Sequence, residues 1–190
     1  MVRAAGLVEG ASMLTKDSDQ KSIVILTGPV GAGKTTVARH LVASSRGACA
    51  FIEGDVFWSF IAKRSPRSEL RENFKMIMRA MSATARHYAR DGYEVILDFS
   101  IPPWYLDGIR ALLSGKPFHY IVLLPSEEIC ETRAASRSEG PITDYTAYRD
   151  LYAEFEKVQK RAIVPDASES AENIARRVRA GVDAGAYILE

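Results

Sequence analysis

Five short apolar runs, rich in β-branched residues, punctuate the chain: SIVILTG (22–28), CAFIEGD (49–55), YEVILDFS (93–100), FHYIVLLP (118–125) and the weaker AIVPD (162–166). Their near-continuous apolar character, without polar alternation, predicts strands covered on both faces of a parallel sheet. Between them lie helical patterns over 34–45, 68–90, 103–114, 126–137, 144–161 and 168–180. In the second of these, Phe74, Ile77, Met78, Met81, Ala85 and Tyr88 recur at three- and four-residue spacing and draw one apolar stripe, which core packing explains. Strands alternating with helices predict a doubly wound α/β sheet, whose ligand sites lie beyond the carboxyl ends of the strands. AKRSPRSE and SRSEGPITD break the pattern with turn-favouring residues and read as loops.

Composition narrows the class. A chain of 190 residues, 47% hydrophobic, is sized for one compact domain. Its 25 basic and 24 acidic residues leave a formal net charge of +1, so no global field selects nucleic acid or an anionic membrane as partner. No apolar run is long enough to span a bilayer, and residues 1–20 lack a secretory core. Cys49 and Cys130 have neither metal-site nor CxxC spacing, which predicts unpaired thiols in a cytoplasmic protein. Residues 1–20 read as a loose leader, or as an overlong start with Met13 the initiator, before a single domain over 21–190. Monomer and homodimer both remain open.

The stretch LTGPVGAGKTTVARHL carries the first chemistry. Gly28 through Thr35 fits the phosphate-loop spacing G-x-x-x-x-G-K-[ST], between a strand and a helix. Gly28, Gly31, Ala32, Gly33, Lys34, Thr35 and Thr36 are the candidate nucleotide-binding residues. The glycines let backbone N–H groups turn toward an anion, and the following helix presents its positive end. Lys34 is expected at the β- and γ-phosphates and the Thr35 hydroxyl on Mg2+, making ATP or another nucleoside triphosphate with Mg2+ the expected ligands.

Two aspartates end neighbouring strands. Asp98 in VILDFS has the arrangement of a strand-tip carboxylate near the metal; the alternative is a turn aspartate before Pro102 and Pro103. Asp55 follows Gly54, which would give its carboxylate a close approach to substrate, where it could accept a hydroxyl proton. Its alternative role is capping the helix that begins VFWSFI. Arg133 and Arg137, four apart, are expected on one helical face before a Gly-Pro break, closing over the phosphates; Glu131 and Glu139 offer a solvated ion pair instead. Arg64, Arg67 and Arg71 could clamp an acceptor carboxylate or phosphate, or form an exposed basic face. Phe57, Trp58 and Phe60 suit core packing more than a pocket. His40, His87 and His119 are assigned no chemistry.

GPVGAGKT, FIEGD, GYEVILDFS and IVLLPSEEICETRAASR with the following YAEFEK together resemble the small P-loop kinases grouped with gluconate kinase, shikimate kinase and chloramphenicol phosphotransferase, and AAA-type ATPases of unassigned substrate. The resemblance spans about residues 22–180. It implies a three-layer P-loop NTPase fold with a parallel five-stranded sheet in the order 2-3-1-4-5, helices on both faces and a small mobile lid near residues 136–146. It also implies that Lys34 and Thr35 serve the nucleotide, Asp55 the acceptor hydroxyl, and Arg133 and Arg137 the lid, with adenine near Asp166 to Ser168. The chain lacks the acceptor pattern that follows Gly-Asp in gluconate kinase, and the arginine and Gly-Gly pattern of shikimate kinase.

The expected activity is transfer of the γ-phosphate of ATP to a hydroxyl of a small molecule: a metabolite, a sugar-like compound or an antibiotic. The catalytic candidates are Lys34, Asp55, Arg133 and Arg137, with Thr35 and Asp98 for the metal. The rival readings are a nucleotide-sugar kinase resembling the zeta toxins and a nucleotide-operated switch that binds a protein.

Overall fold

The computed structural model describes residues 22–63, 70–113, 117–138, 140–158 and 161–189. The leader, Arg64, Arg67 and Glu139 lie outside the described residues, as does the side chain of Arg71.

Strand β1 (Ile23–Thr27) is buried at all five positions, which is why its sequence shows no alternation. It is the central strand of the parallel order β2-β3-β1-β4-β5, with β2 Cys49–Glu53, β3 Glu94–Asp98, β4 Phe118–Leu123 and β5 Ala162–Ile163. A short antiparallel strand, β6 (Ile188–Leu189), adds to this order by pairing with Phe118 and His119 at the start of β4, while β5 takes Val122 and Leu123 at its end. Two residues are too few to carry a periodicity, so nothing in the sequence pattern announces β6.

The helices fall where the apolar spacing places them, most with shorter ends and the last running past its expected end at 180: α1 Lys34–Ala43, α3 Leu70–Arg90, α4 Leu106–Leu112, α5 Glu127–Ala135, α6 Thr146–Glu156 and α7 Ala171–Asp183. A single turn, α2 (Val56–Ser59), follows β2, and a 3-10 turn over Pro103–Tyr105 leads into α4. Helix α1 packs against α7, and α3 against α4, forming the layers that flank the sheet. Helix α7 turns Ile174, Ala175, Val178 and Val182 inward, and the Ser170 side chain caps it by accepting from the Asn173 N–H at 3.2 Å.

The stripe on α3 is core only in its middle. Ile77, Met78, Met81 and Ala85 are buried, whereas Tyr88 is exposed and stacks edge-on with Tyr93. Phe74, at the other end, faces a cavity. Both cysteines are free, with burial pushing the Cys130 thiol up to about 11. No helix among the described residues is long and apolar enough to cross a membrane.

Candidate active site

The phosphate loop joins the end of β1 to the start of α1, and its backbone can exist only with glycine at two points. Gly28 has φ 144° and a side chain there would strike the Leu123 carbonyl; Gly31 has φ 84° and would strike the Cys130 carbonyl. The loop is thus seated directly on β4 and α5. Gly33 precedes α1, whose first turn contains no acidic residue, so its positive end remains free for an anion.

Parallel register delivers the acidic groups. Asp98 ends β3 opposite Leu26 of β1 on one side and Glu53 of β2 on the other. It is buried and accepts a 2.6 Å hydrogen bond from the Thr35 hydroxyl, which places it on the nucleotide loop and not in a proline turn. Burial raises the affinity of its carboxylate for a proton above the ordinary range, opposed by Lys34 and by the Thr35 bond. Withdrawal from water pulls the Lys34 ammonium below its usual range, opposed by Asp98 and then Asp55 and assisted by Arg137. Lys34 donates to the Pro29 carbonyl at 3.0 Å, holding the loop from inside.

Asp55 sits before α2 and its side chain makes no capping bond, so the carboxylate is left exposed to the cleft. The space at Gly54 serves a different purpose from the close substrate approach its position suggested. A side chain there would collide with the Phe99 ring and the Met81 sulfur, and its N–H donates to the Asp98 carbonyl at 2.8 Å. Gly54 therefore lets β2 close on the core.

Arg133 and Arg137 do not share a helical face. Helix α5 ends at Ala135, so Arg133 is on its last turn and Arg137 beyond it, because Ser136 ends the helical ladder. Both still border the same cleft, and among the described residues neither is held in an ion pair. Arg149 takes Glu127 at 3.2 Å and Glu131 at 3.8 Å instead. Among its described residues, the segment read as a lid forms neither helix nor strand over 137–138 and 140–145, and its second half is tied down. The Ile142 N–H donates to the Ala134 carbonyl at 3.0 Å, and the buried Tyr145 hydroxyl donates to the Val30 carbonyl at 2.7 Å. Asp166 and Ser168 close a local turn through two hydrogen bonds and do not border this cleft.

The cleft has two chambers. A polar chamber of about 670 Å³ is bordered by Gly31, Gly33, Thr35, Thr36, Asp98 and Arg133. An apolar chamber of about 430 Å³ is bordered by Trp58, Phe74, Trp104, Ile142, Tyr148 and Leu151. Lys34, Asp55, Phe99, Ser100 and Arg137 border both. Ala32 is buried beneath the loop. The aromatics after Asp55 divide: Trp58 lines the apolar chamber, Phe60 is exposed, and Phe57 packs edge-on against Phe60.

Sequence reading missed Glu53, Arg39 and Ser100, all on the polar chamber, and the second layer that braces them. Ser100 donates to the Gly28 carbonyl at 2.9 Å, and the Thr27 and Tyr120 hydroxyls both donate to the Ile101 carbonyl. Glu53 was visible in FIEGD; the braces join positions far apart in the chain. Among the described residues no cluster of three His, Cys, Asp or Glu side chains could hold a metal alone. The Thr35 hydroxyl and Asp98 carboxylate are hard oxygen donors that fit Mg2+, which takes its other ligands from phosphates and water.

A family model described as an AAA domain matches residues 23–147. Among solved structures, an unliganded sugar kinase from Janibacter sp. HTCC2649 is 20% identical with a TM-score of 0.66, over 86% of this chain and 95% of that one. The tunicamycin resistance protein of Deinococcus radiodurans is 20% identical with a TM-score of 0.67, over 85% and 95%. The Mycobacterium tuberculosis APS kinase, solved with AMPPNP and APS, is 18% identical with a TM-score of 0.64, over 87% and 99%. At these identities the likeness is one of fold. No curated protein matches the chain.

Proposed function

The chain belongs to the AAA-domain family, and from that premise we propose that it is an ATP-dependent kinase transferring the γ-phosphoryl group to a hydroxyl of a small molecule. One observation carries this reading: a second chamber opens off the phosphate chamber, and Asp55, Lys34 and Arg137 stand at the boundary. A nucleotide-operated switch has no use for that second chamber.

The phosphates would lie against the loop N–H groups at the start of α1, with Lys34 leaving the Pro29 carbonyl to meet them. Thr35 and, through it, Asp98 would hold Mg2+. When bound, Mg2+ would neutralise part of the charge on the phosphates. The acceptor oxygen forms its bond to the γ-phosphorus as the bond to the β,γ-bridging oxygen breaks and that electron pair leaves with ADP. The hydroxyl proton passes to the Asp55 carboxylate and from there to solvent. Arg133 and Arg137 offset the charge on the transferring group. Positioning and charge compensation are the main sources of rate in such transfers.

The test is ADP release from Mg-ATP with pools of hydroxylated compounds. Lys34→Ala should abolish turnover, and wild-type activity in that variant would remove the loop assignment. Asp55→Asn should slow acceptor-stimulated release by about 10²–10⁴-fold while keeping nucleotide affinity. Equal loss of both would make Asp55 a structural or metal-linked group.

A further inference from the structure

We infer that Thr27 and Tyr120 are positioning residues for the transfer: their buried hydroxyls lock the Phe99–Ile101 turn onto the end of β1, and so fix the wall shared by the two chambers against the phosphate loop. This rests on the kinase reading above and deepens it.

Thr27 is the one polar residue of β1 and is fully buried, where a valine would fill nearly the same space. Its backbone pairs with Val122 of β4, while its side chain reaches the segment that leaves β3. The β1–β3 ladder ends where the Phe99 N–H donates to the Leu26 carbonyl at 3.3 Å. Past that point the backbone tightens into a turn, with the Ile101 N–H donating to the Phe99 carbonyl at 3.0 Å. The same N–H donates to the Thr27 hydroxyl oxygen at 2.7 Å, and that hydroxyl donates in return to the Ile101 carbonyl at 3.2 Å. One side chain thus pairs both backbone groups of one residue, as a ladder partner would. The Tyr120 hydroxyl donates to the same carbonyl at 2.8 Å, and burial raises its pKa above the ordinary phenol range, so it stays a donor. Ile101 is itself fully buried, so solvent does not replace a bond lost here.

What the lock holds in place points to the transfer and not to the core alone. The turn follows Asp98, which accepts from Thr35, and carries Phe99 and Ser100 on both chambers, with Pro102 and Trp104 next along the apolar one. At its tip the Ser100 hydroxyl donates to the carbonyl of Gly28, the residue after Thr27 and the first of the phosphate loop. Gly28 in turn lies close against the Leu123 carbonyl of β4, three residues beyond Tyr120. Loop and turn are therefore referenced to the same two strands, β1 and β4. The gap between the phosphates and the acceptor side is set by two hydroxyls buried behind the chambers. A displacement of about 1 Å at the reacting groups is enough to slow a transfer about a hundredfold.

Hydrogen exchange of full-length protein, with and without Mg-AMPPNP, reads the turn directly. Steady-state ADP release from Mg-ATP with the pools of hydroxylated compounds reads its consequence. Thr27→Val removes the hydroxyl and keeps the shape, whereas Thr27→Ser keeps the hydroxyl and loses the methyl. In Thr27→Val the peptide over residues 99–106 should exchange about tenfold faster in both states and kcat should fall about tenfold to a hundredfold, with AMPPNP affinity and KM for ATP within about twofold of wild type. Thr27→Ser should show wild-type exchange and kcat although its lost methyl lowers the urea midpoint too. Tyr120→Phe removes one of the two donors to the Ile101 carbonyl and should give the same pattern at about threefold, which decides the matter if Thr27→Val does not fold.

Unchanged exchange in Thr27→Val and Tyr120→Phe overturns the inference, as does faster exchange with kcat unchanged. Equal losses in Thr27→Val and Thr27→Ser make the effect one of packing, and a fall in nucleotide affinity in step with kcat places it in the phosphate loop; either result overturns the positioning role. These outcomes in a wild type that turns over remove the lock and keep the kinase. No phosphorylated product from wild type removes the kinase reading, and with it transfer as the purpose of the lock.

Discussion

Lys34 and Asp98 show how one buried pair serves both stability and chemistry. Each is pushed toward neutrality by burial and held charged chiefly by the other. Removing one partner leaves the other charge uncompensated, whereas removing both removes the desolvation penalty as well. Lys34→Met with Asp98→Asn should therefore unfold at higher urea than either single variant, while all three lose turnover. The pH dependence has a definite sign. Because Asp98 binds a proton more tightly folded than unfolded, its contribution to stability falls as pH rises from the ordinary 3.8 through its raised folded value. The stability of Asp98→Asn relative to wild type should climb through that window and level off above it, as read by denaturation at each pH. Asp98 was legible because an apolar run ending in a carboxylate marks a strand tip. The purpose of Gly54 was not legible, because Phe99 and Met81, which fill the space beside it, are distant in sequence.

At the scale of elements, the phosphate loop is braced by α5 and by the beginning of α6, and not by its own hydrogen bonds alone. The Tyr145 hydroxyl, 1% exposed, donates to Val30 across the loop. Tyr145→Phe leaves that carbonyl without this partner and should cost about 1 kcal/mol in urea unfolding. Because Val30 sits within the loop, the same change should raise KM for ATP more than it lowers kcat. Steady-state kinetics over ATP concentration separate the two. The 3.6-residue pattern located α5 and α6 well, but it could not say that Arg137 falls past the end of α5, since the stop at Ser136 is a local backbone event. It also could not separate core from cavity along α3, where Phe74 and Ile77 occupy the same stripe.

Across the whole molecule, the end of the sheet opposite the cleft is fastened by Arg179 of α7. It pairs with Glu94 at the start of β3 and donates to the Leu41 carbonyl at 3.1 Å, with both charged side chains largely buried. Arg179→Ala should destabilise the protein by about 3 kcal/mol, seen as a lower denaturation midpoint. KM for ATP should not change, because the bridge joins the far ends of the strands. Such separation of fastening from chemistry is what a doubly wound sheet permits. By itself the sequence determined the five parallel strands, the longer helices and the phosphate loop, and it marked Lys34, Thr35, Asp55 and Asp98 as the groups to watch. Those follow from local spacing: an apolar run, a helical period, a glycine turn. Tertiary structure alone decided that Asp98 meets Thr35 and that Gly54 yields to Phe99. It also decided that rings from three elements enclose an apolar chamber beside Asp55. Those depend on parallel register and on side chains separated by tens of residues, and periodicity within a segment contains no record of which segments become neighbours.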